Sequence, residues 1–174
     1  EGDLLDLEAT TRALEESELV FHLAADPEVR LGAEDPDSHF RQNLTATYNL
    51  LEAIRSRGTP TRRVFASTST VYGEPTSIPT PEDYGPSIPI STYGASKLGC
   101  EALAFSYAYT FGLRTLILRI ANVVGPRANH GVIIDFINKL KKDPKRHEIL
   151  GDGTQKKSYL HIEDFIDATI HVTS

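Results

Sequence analysis

The stretch STYGASK, residues 91–97, sets a tyrosine and a lysine four positions apart, Tyr93 and Lys97, among small residues. In a helix, that spacing puts both side chains on one face. An ammonium near a phenol favours the phenolate and lowers its pKa. A tyrosine tuned toward neutrality can then act as a general acid or base. Such a site needs a second polar group to bind the substrate oxygen, and the run STST at 67–70, which contains Thr68, supplies hydroxyls. Alone, the Tyr–Lys pair reads better as an ordinary solvated helix pair. The upstream hydroxyl cluster reverses that preference.

These groups need elements to place them. Residues 7–17 have helical spacing, and 18–25 form a short apolar run of strand type. A long helix is expected over 38–57, with Leu44, Tyr48, Leu51 and Ile54 on one stripe and Gly58, Thr59 and Pro60 ending it. RRVFASTS, 62–69, reads as the next strand, and 73–90, with five prolines, as a long irregular loop. Ser91 or Thr92 can cap a helix running to about 111. Residues 112–124 read as a buried strand, 125–131 as a loop, 132–142 as a helix, and 147–150 and 157–160 as short strands. A last helix, 162–173, has Glu163 and Asp164 in its first turn, which suits the helix dipole. Alternating strands and helices predict an α/β layered fold with a parallel sheet. Ligands of such sheets bind beyond the carboxyl ends of the strands. Here those ends are HLAAD (22–26), STSTVYG (67–73) and RIANVVG (119–125), all rich in small or polar residues.

Composition excludes several function classes. The 174 residues suffice for a domain with a real core, and 40% apolar with 24% charged residues is ordinary for a globular chain. Net charge is −6 with both signs interspersed and no basic stripe, so no nucleic-acid partner is expected. Arg119 interrupts the apolar run at 115–124, and no segment could span a bilayer. The acidic opening EGDLLDLEAT lacks a signal-peptide core. The one cysteine, Cys100, can form no intramolecular disulfide, which agrees with a cytoplasmic setting, and it reads as a small buried hydrophobe. His22 falls on a buried strand and reads as structural. His130 and His161 stand apart, and no pair has metal-ligand spacing, so no metal is expected. The chain has no methionine and opens on Glu1, as a piece of a longer polypeptide would.

Six stretches carry a family likeness: HLAA (22–25), NLTATYNLLEA (43–53), STSTVYG (67–73), YGASK (93–97), LRIANVVGPR (118–127) and GDGTQKKSYLHIED (151–164). In this order they resemble the extended short-chain dehydrogenase/reductases of the NAD-dependent epimerase/dehydratase family, most nearly its UDP-glucose 4-epimerases. The resemblance implies a partial Rossmann-like NAD-binding domain over 1–125. Substrate-side segments, mixed with the last Rossmann helix, would occupy 126–174. It implies Tyr93 as catalytic base, Lys97 on the nicotinamide ribose, and Thr68 on the sugar hydroxyl being oxidised. Asp3 and Leu4 would reach the adenine side, Leu23, Ala24 and Ala25 would line the cofactor, and Asn43 with Gln42 beside it would contact NAD. Asn122, Val132, Ile149 and Lys157 would hold the nucleotide sugar, expected to be a UDP-hexose. The resemblance also implies a cytoplasmic homodimer packed through the helices 38–57 and 92–111, with Tyr48, Leu51, Leu103, Phe105 and Tyr109 as apolar contacts.

Two departures stand beside the likeness. Lys157 occupies a position where the family commonly has an arginine for the diphosphate, and lysine binds phosphate as a point charge rather than bidentately. The family's glycine-rich fingerprint is absent from these residues and is expected upstream of Glu1, just as the end of the substrate domain is expected beyond Ser174. A dehydratase of the family would carry an Asp-Glu pair directly after the catalytic threonine, where Ser69 and Thr70 stand instead. Other nucleotide-sugar enzymes of the family, a reductase or a decarboxylase, stay open, as does a binding module or inactive fragment.

Overall fold

Three runs of β-formers, LVFH, RRVFAST and TLILRI, build the sheet that carries Thr68. In the computed structural model, which describes every residue except Thr59, Asn129, His130 and Leu150, they are β1 (Leu19–His22), β2 (Arg62–Thr68) and β3 (Thr115–Ile120). The strands pair in parallel in the order β1-β2-β3, with Leu19 opposite Arg62 and Arg63 opposite Thr115. Parallel neighbours need crossover helices. These are α4 (Ala46–Arg57), between β1 and β2, and α5 (Thr92–Phe111), between β2 and β3. The α/β parallel architecture expected from the alternating pattern is present. No helix is long and apolar enough to cross a membrane among the described residues.

The chain divides into two compact units, Glu1–Ile120 and Ala121–Ser174. In the first, α1 (Leu7–Ala13) is capped by Asp6, whose carboxylate accepts from the Ala9 amide at 2.9 Å. Leu14, just past this helix, joins Leu50, Ala53 and Ile54 of α4 in a buried cluster flanked by Val20 and Leu113. Two single turns, α2 (Leu31–Glu34) and α3 (Pro36–His39), lead into a π-helical stretch, Phe40–Thr45, before α4 begins. The second unit holds β4 (Asn122–Val124) paired in parallel with β5 (Tyr159–His161), together with α6 (Val132–Lys142) and α7 (Ile162–Thr173).

Four expectations are corrected. The single helix over 38–57 is three pieces. The π stretch adds one residue to a turn, which rotates the following face by about 100°. Within α4, Tyr48 lies off the buried stripe and is exposed, while Leu50, Leu51, Ala53 and Ile54 face the core. Leu51 is fully buried and Leu103 half-buried, so neither is free for an intermolecular contact, whereas Tyr48, Phe105 and Tyr109 are exposed. The strand over 112–124 is two half-buried strands, β3 and β4, in different sheets: β3 loses its ladder partner when β2 ends, at the Thr68–Ile120 pair. Residues 147–149 form no strand. There the Glu148 carbonyl accepts from Lys139 Nζ at 2.9 Å, and the His147 ring packs edge-on against Phe136 at 4.4 Å. The end of that expected strand, Leu150, and the loop residue His130 lie outside the described residues.

Candidate active site

The site forms where β2 ends and α5 begins. Ser91 caps α5, its hydroxyl accepting from the Gly94 amide at 3.0 Å, so the first helical turn delivers Tyr93. Close approach there depends on Gly94. A Cβ on it would stand 2.9 Å from the Thr70 carbonyl oxygen and 3.0 Å from Pro89 Cβ. At the strand end, Thr68 is the N-cap of a 3₁₀ turn, Ser69–Tyr72. Its hydroxyl oxygen accepts from the Thr70 amide at 3.2 Å and from the Thr70 hydroxyl at 3.1 Å. With both lone pairs engaged, the Thr68 proton is free to be donated, and the Thr68 hydroxyl favours the ionised form of the Tyr93 phenol. Gly73, at φ 69°, closes the turn, and a side chain there would collide with the Ile88 carbonyl.

Lys97 lies one turn further along α5. It is only 3% exposed, with its ammonium 4.3 Å from the centre of the Phe65 ring. Phe65 also carries Arg63, whose guanidinium carbon is 5.1 Å from the ring centre, and the His22 ring at 5.2 Å. Three basic side chains thus surround one aromatic ring. Burial pushes Lys97 down to about 8; Arg63 adds to the fall, and Cys100 and Glu101 oppose it. Burial likewise takes Arg63 down to about 10. Burial, reinforced by Arg63 and Lys97, pushes His22 down to about 3, so that histidine stays neutral.

The expected electrostatics of the pair differ from those observed. Burial raises the Tyr93 phenol, and the Thr68 hydrogen bond pulls it the other way; Lys97 is not among the groups acting on it. The ammonium lies against the Phe65 ring, 4.3 Å from its centre.

Asn43, within the π stretch and 2% exposed, works as a tie. Its carbonyl oxygen accepts from the Asp26 amide at 2.8 Å, and its amide nitrogen donates to the Asp26 carbonyl at 3.1 Å and to Ser96 Oγ at 3.0 Å. Ser96 in turn donates to the Tyr93 carbonyl at 2.8 Å, so the loop after β1 is laced to the tyrosine's own turn. Gln42 is exposed, as are Leu23 and Ala24 at the carboxyl end of β1, while Ala25 is half-buried. Asp3 accepts from the Leu5 amide at 2.9 Å, and Asn49 of α4 donates to the Leu4 carbonyl at 2.9 Å. Within the second unit, Asn122 donates to the Ser158 carbonyl at 3.1 Å, beside the exposed Lys157. Val132 opens α6 and, like Ile149, is about half exposed. Cys100 is buried, its thiol donating to the Asn43 carbonyl at 3.4 Å.

Sequence reasoning missed three residues here. His39 is buried, its Nδ1 2.9 Å from Thr92 Oγ1, and its ring is 5.8 Å from that of Tyr93. Buried Glu101 and partly exposed Arg119 form an ion pair at 2.7 Å. A signal for Glu101 existed: with Tyr93 and Lys97 it completes an i, i+4, i+8 stripe on α5.

One feature tests whether these residues fit a dinucleotide. Lys97 carries three donors, yet no hydrogen-bond acceptor among the described residues meets them, and its contact is with an aromatic ring. A buried cation with spare donors, beside exposed small residues at a strand's carboxyl end, suits a ribose and its hydroxyls.

A family model described as "NAD dependent epimerase/dehydratase family" matches residues 1–174. A UDP-glucuronate 4-epimerase of Thermodesulfobacterium geofontis is 36% identical over 151 residues, 87% of this chain and 46% of that protein. A UDP-glucose 4-epimerase of Corynebacterium glutamicum is 32% identical over 184 residues, 98% of this chain and 55% of that protein. The crystal structure of a UDP-galactose 4-epimerase, 48% identical, superposes with a TM-score of 0.87 over 98% of this chain and 55% of its own. The UDP-glucuronic acid 4-epimerase of Bacillus cereus, solved with UDP-glucuronic acid and NAD, is 33% identical with a TM-score of 0.89, covering 99% of this chain and 54% of that one. The chain spans about half the length of the relatives it matches.

Proposed function

The chain belongs to the NAD-dependent epimerase/dehydratase family, and from that premise we propose that the protein is a nucleotide-sugar 4-epimerase acting on a UDP-hexose. The observation that carries the proposal is the placing of the Thr68 hydroxyl at the end of β2 where it acts on the Tyr93 phenol, one helical turn from buried Lys97. Bound NAD⁺ supplies the acceptor, and later the donor, of the hydride at the sugar carbon. Lys97 would hold its ribose, and Leu23–Ala25 would lie against it with the Gln42–Asn43 turn, while Asp3 and Leu4 would serve the adenine end. A Tyr93 phenolate would take the proton of the sugar 4-hydroxyl and return it after the 4-keto sugar has turned over; the positive charge of bound NAD⁺ would favour the phenolate against the burial that raises the phenol. The Thr68 hydroxyl, oriented by Thr70, aligns that sugar oxygen with the phenol. Asn122, Val132, Ile149 and Lys157 would take the nucleotide, with Lys157 as a point charge for the diphosphate.

Dehydration is not supported at this site: Ser69 is exposed, and the Thr70 hydroxyl is bonded to Thr68, so neither provides an acid–base pair. Exposed Tyr48, Phe105 and Tyr109 on α4 and α5 offer a second copy an apolar surface, in keeping with a homodimer. The lone buried thiol suits a cytoplasmic enzyme. The test is to incubate the full-length protein with NAD⁺ and UDP-glucose, UDP-galactose or UDP-glucuronate, and to separate the sugar nucleotides chromatographically. Appearance of the C4 epimer of one of them is expected; inertness toward all three would sink the proposal.

A further inference from the structure

Tyr93, Lys97 and Glu101 occupy one stripe of α5, and the proposed chemistry uses only the first two. Glu101 is 1% exposed. Its carboxylate accepts a short hydrogen bond from Ser67 Oγ on β2. It also receives Arg119 from β3 in a forked arrangement, with Nη2 donating to Oε2 at 2.7 Å and Nε to Oε1 at 3.1 Å and Oε2 at 3.2 Å. Arg119 reaches onward. Its guanidinium stacks 4.8 Å from the centre of the Tyr72 ring and donates to the Glu82 carbonyl at 3.3 Å. One carboxylate therefore gathers α5, the ends of two strands, and the loop that follows Tyr72.

What this clamp grips matters more than its strength. The 3₁₀ turn Ser69–Tyr72 orients the Thr68 hydroxyl. Ser67 stands immediately before Thr68, and Tyr72 ends the turn, so the clamp holds it from both sides. A buried ion pair adds little net stability compared with apolar side chains of the same size. What a forked Arg–carboxylate pair does supply is fixed geometry. We propose that Glu101 and Arg119 are positioning residues, which fix the turn 68–72 so that the Thr68 hydroxyl meets the Tyr93 phenol. The inference rests on the proposed role of Thr68 and Tyr93.

The test uses the full-length protein with NAD⁺ and the variants Ser67→Ala, Glu101→Gln and the double variant Glu101→Gln/Arg119→Met. The double variant removes both charges and leaves neither stranded. Two readouts are taken well below each Tm: kcat and KM for UDP-glucose and UDP-glucuronate per folded molecule, and amide hydrogen exchange over 68–73. The expected result is a 10- to 100-fold loss of kcat with KM within twofold, and exchange at 68–73 faster by about tenfold. The double variant should regain Tm but not kcat. A purely structural pair would recover both together. A kcat within twofold of wild type in the double variant, or unchanged exchange at 68–73 in all three variants, overturns the inference. If the wild type turns over neither sugar, the proposed reaction fails, and the clamp is then judged on exchange alone.

Discussion

Replacing Lys97 with methionine separates what the lysine does for the fold from what it does for function. Lys97 is 3% exposed, and its ammonium lies 4.3 Å from the centre of the Phe65 ring. Burial holds it down to about 8, against an ordinary value of 10.5. Between those two values the unfolded chain binds more protons, so this group makes stability rise with pH through that window. Below about 8 the penalty is fully present, and at about 1.4 kcal/mol per pKa unit it amounts to roughly 3 kcal/mol. Loss of the cation–π contact returns about 1 kcal/mol of it. Lys97→Met is therefore expected to be more stable than wild type by about 2 kcal/mol at pH 7, with the gain fading as pH rises from about 8 to 10.5. The assay is urea unfolding of both proteins, without added nucleotide, at stepped pH. NAD⁺ retention is measured alongside and should fall in the variant. A variant less stable than wild type at pH 7 would refute the reasoning, because the ammonium would then have a favourable partner that the geometry does not reveal.

His22 gives the opposite pH limb. Its folded pKa of about 3 lies below the ordinary 6.5, so stability is lost as pH falls through that window. His22→Leu should spare the protein roughly 3 kcal/mol of the loss between pH 7 and 4.5, and an imidazole NMR titration near pH 6 for His22 would contradict this. Gly94→Ala should lower Tm and activity although alanine is the better helix former, because its Cβ would meet the Thr70 carbonyl at 2.9 Å; a raised Tm would refute it. Ser91→Ala should cost about 1 kcal/mol in denaturant unfolding by removing the α5 cap, and no loss would mean that the Gly94 amide finds another partner.

Much of the fold was legible because its periodicities are long and its breakers strong. The strand at 62–69, the Ser91 cap and the helix to Phe111 lie where the pattern puts them. The helix through Asn43 was not legible as three pieces. Its π stretch is held by side-chain bonds from Asn43 to Asp26 and Ser96, contacts distant in sequence that no local pattern encodes. The break at Ala121 was hidden for a similar reason, since an apolar run does not reveal which strand each half will pair with. In the candidate site, Tyr93 and Lys97 stood out by residue type and spacing, and Thr68 was picked from the hydroxyl cluster 67–70 by the family resemblance. The partner of the Lys97 ammonium was not legible, because Phe65 lies on a strand far upstream and no local pattern joins it to α5. Arg119 was visible as a charge in an apolar run, but its meaning required Glu101 to be seen beneath it.

The central claim is that Tyr93 is the acid–base group of a 4-epimerase, and the most direct measurement is the rate of UDP-glucose to UDP-galactose interconversion by the full-length protein and its Tyr93→Phe variant. The account predicts turnover by the wild type and a loss of about 10²- to 10⁴-fold in kcat for the variant, with Tm and NAD⁺ retention unchanged. A variant that keeps wild-type kcat would contradict it.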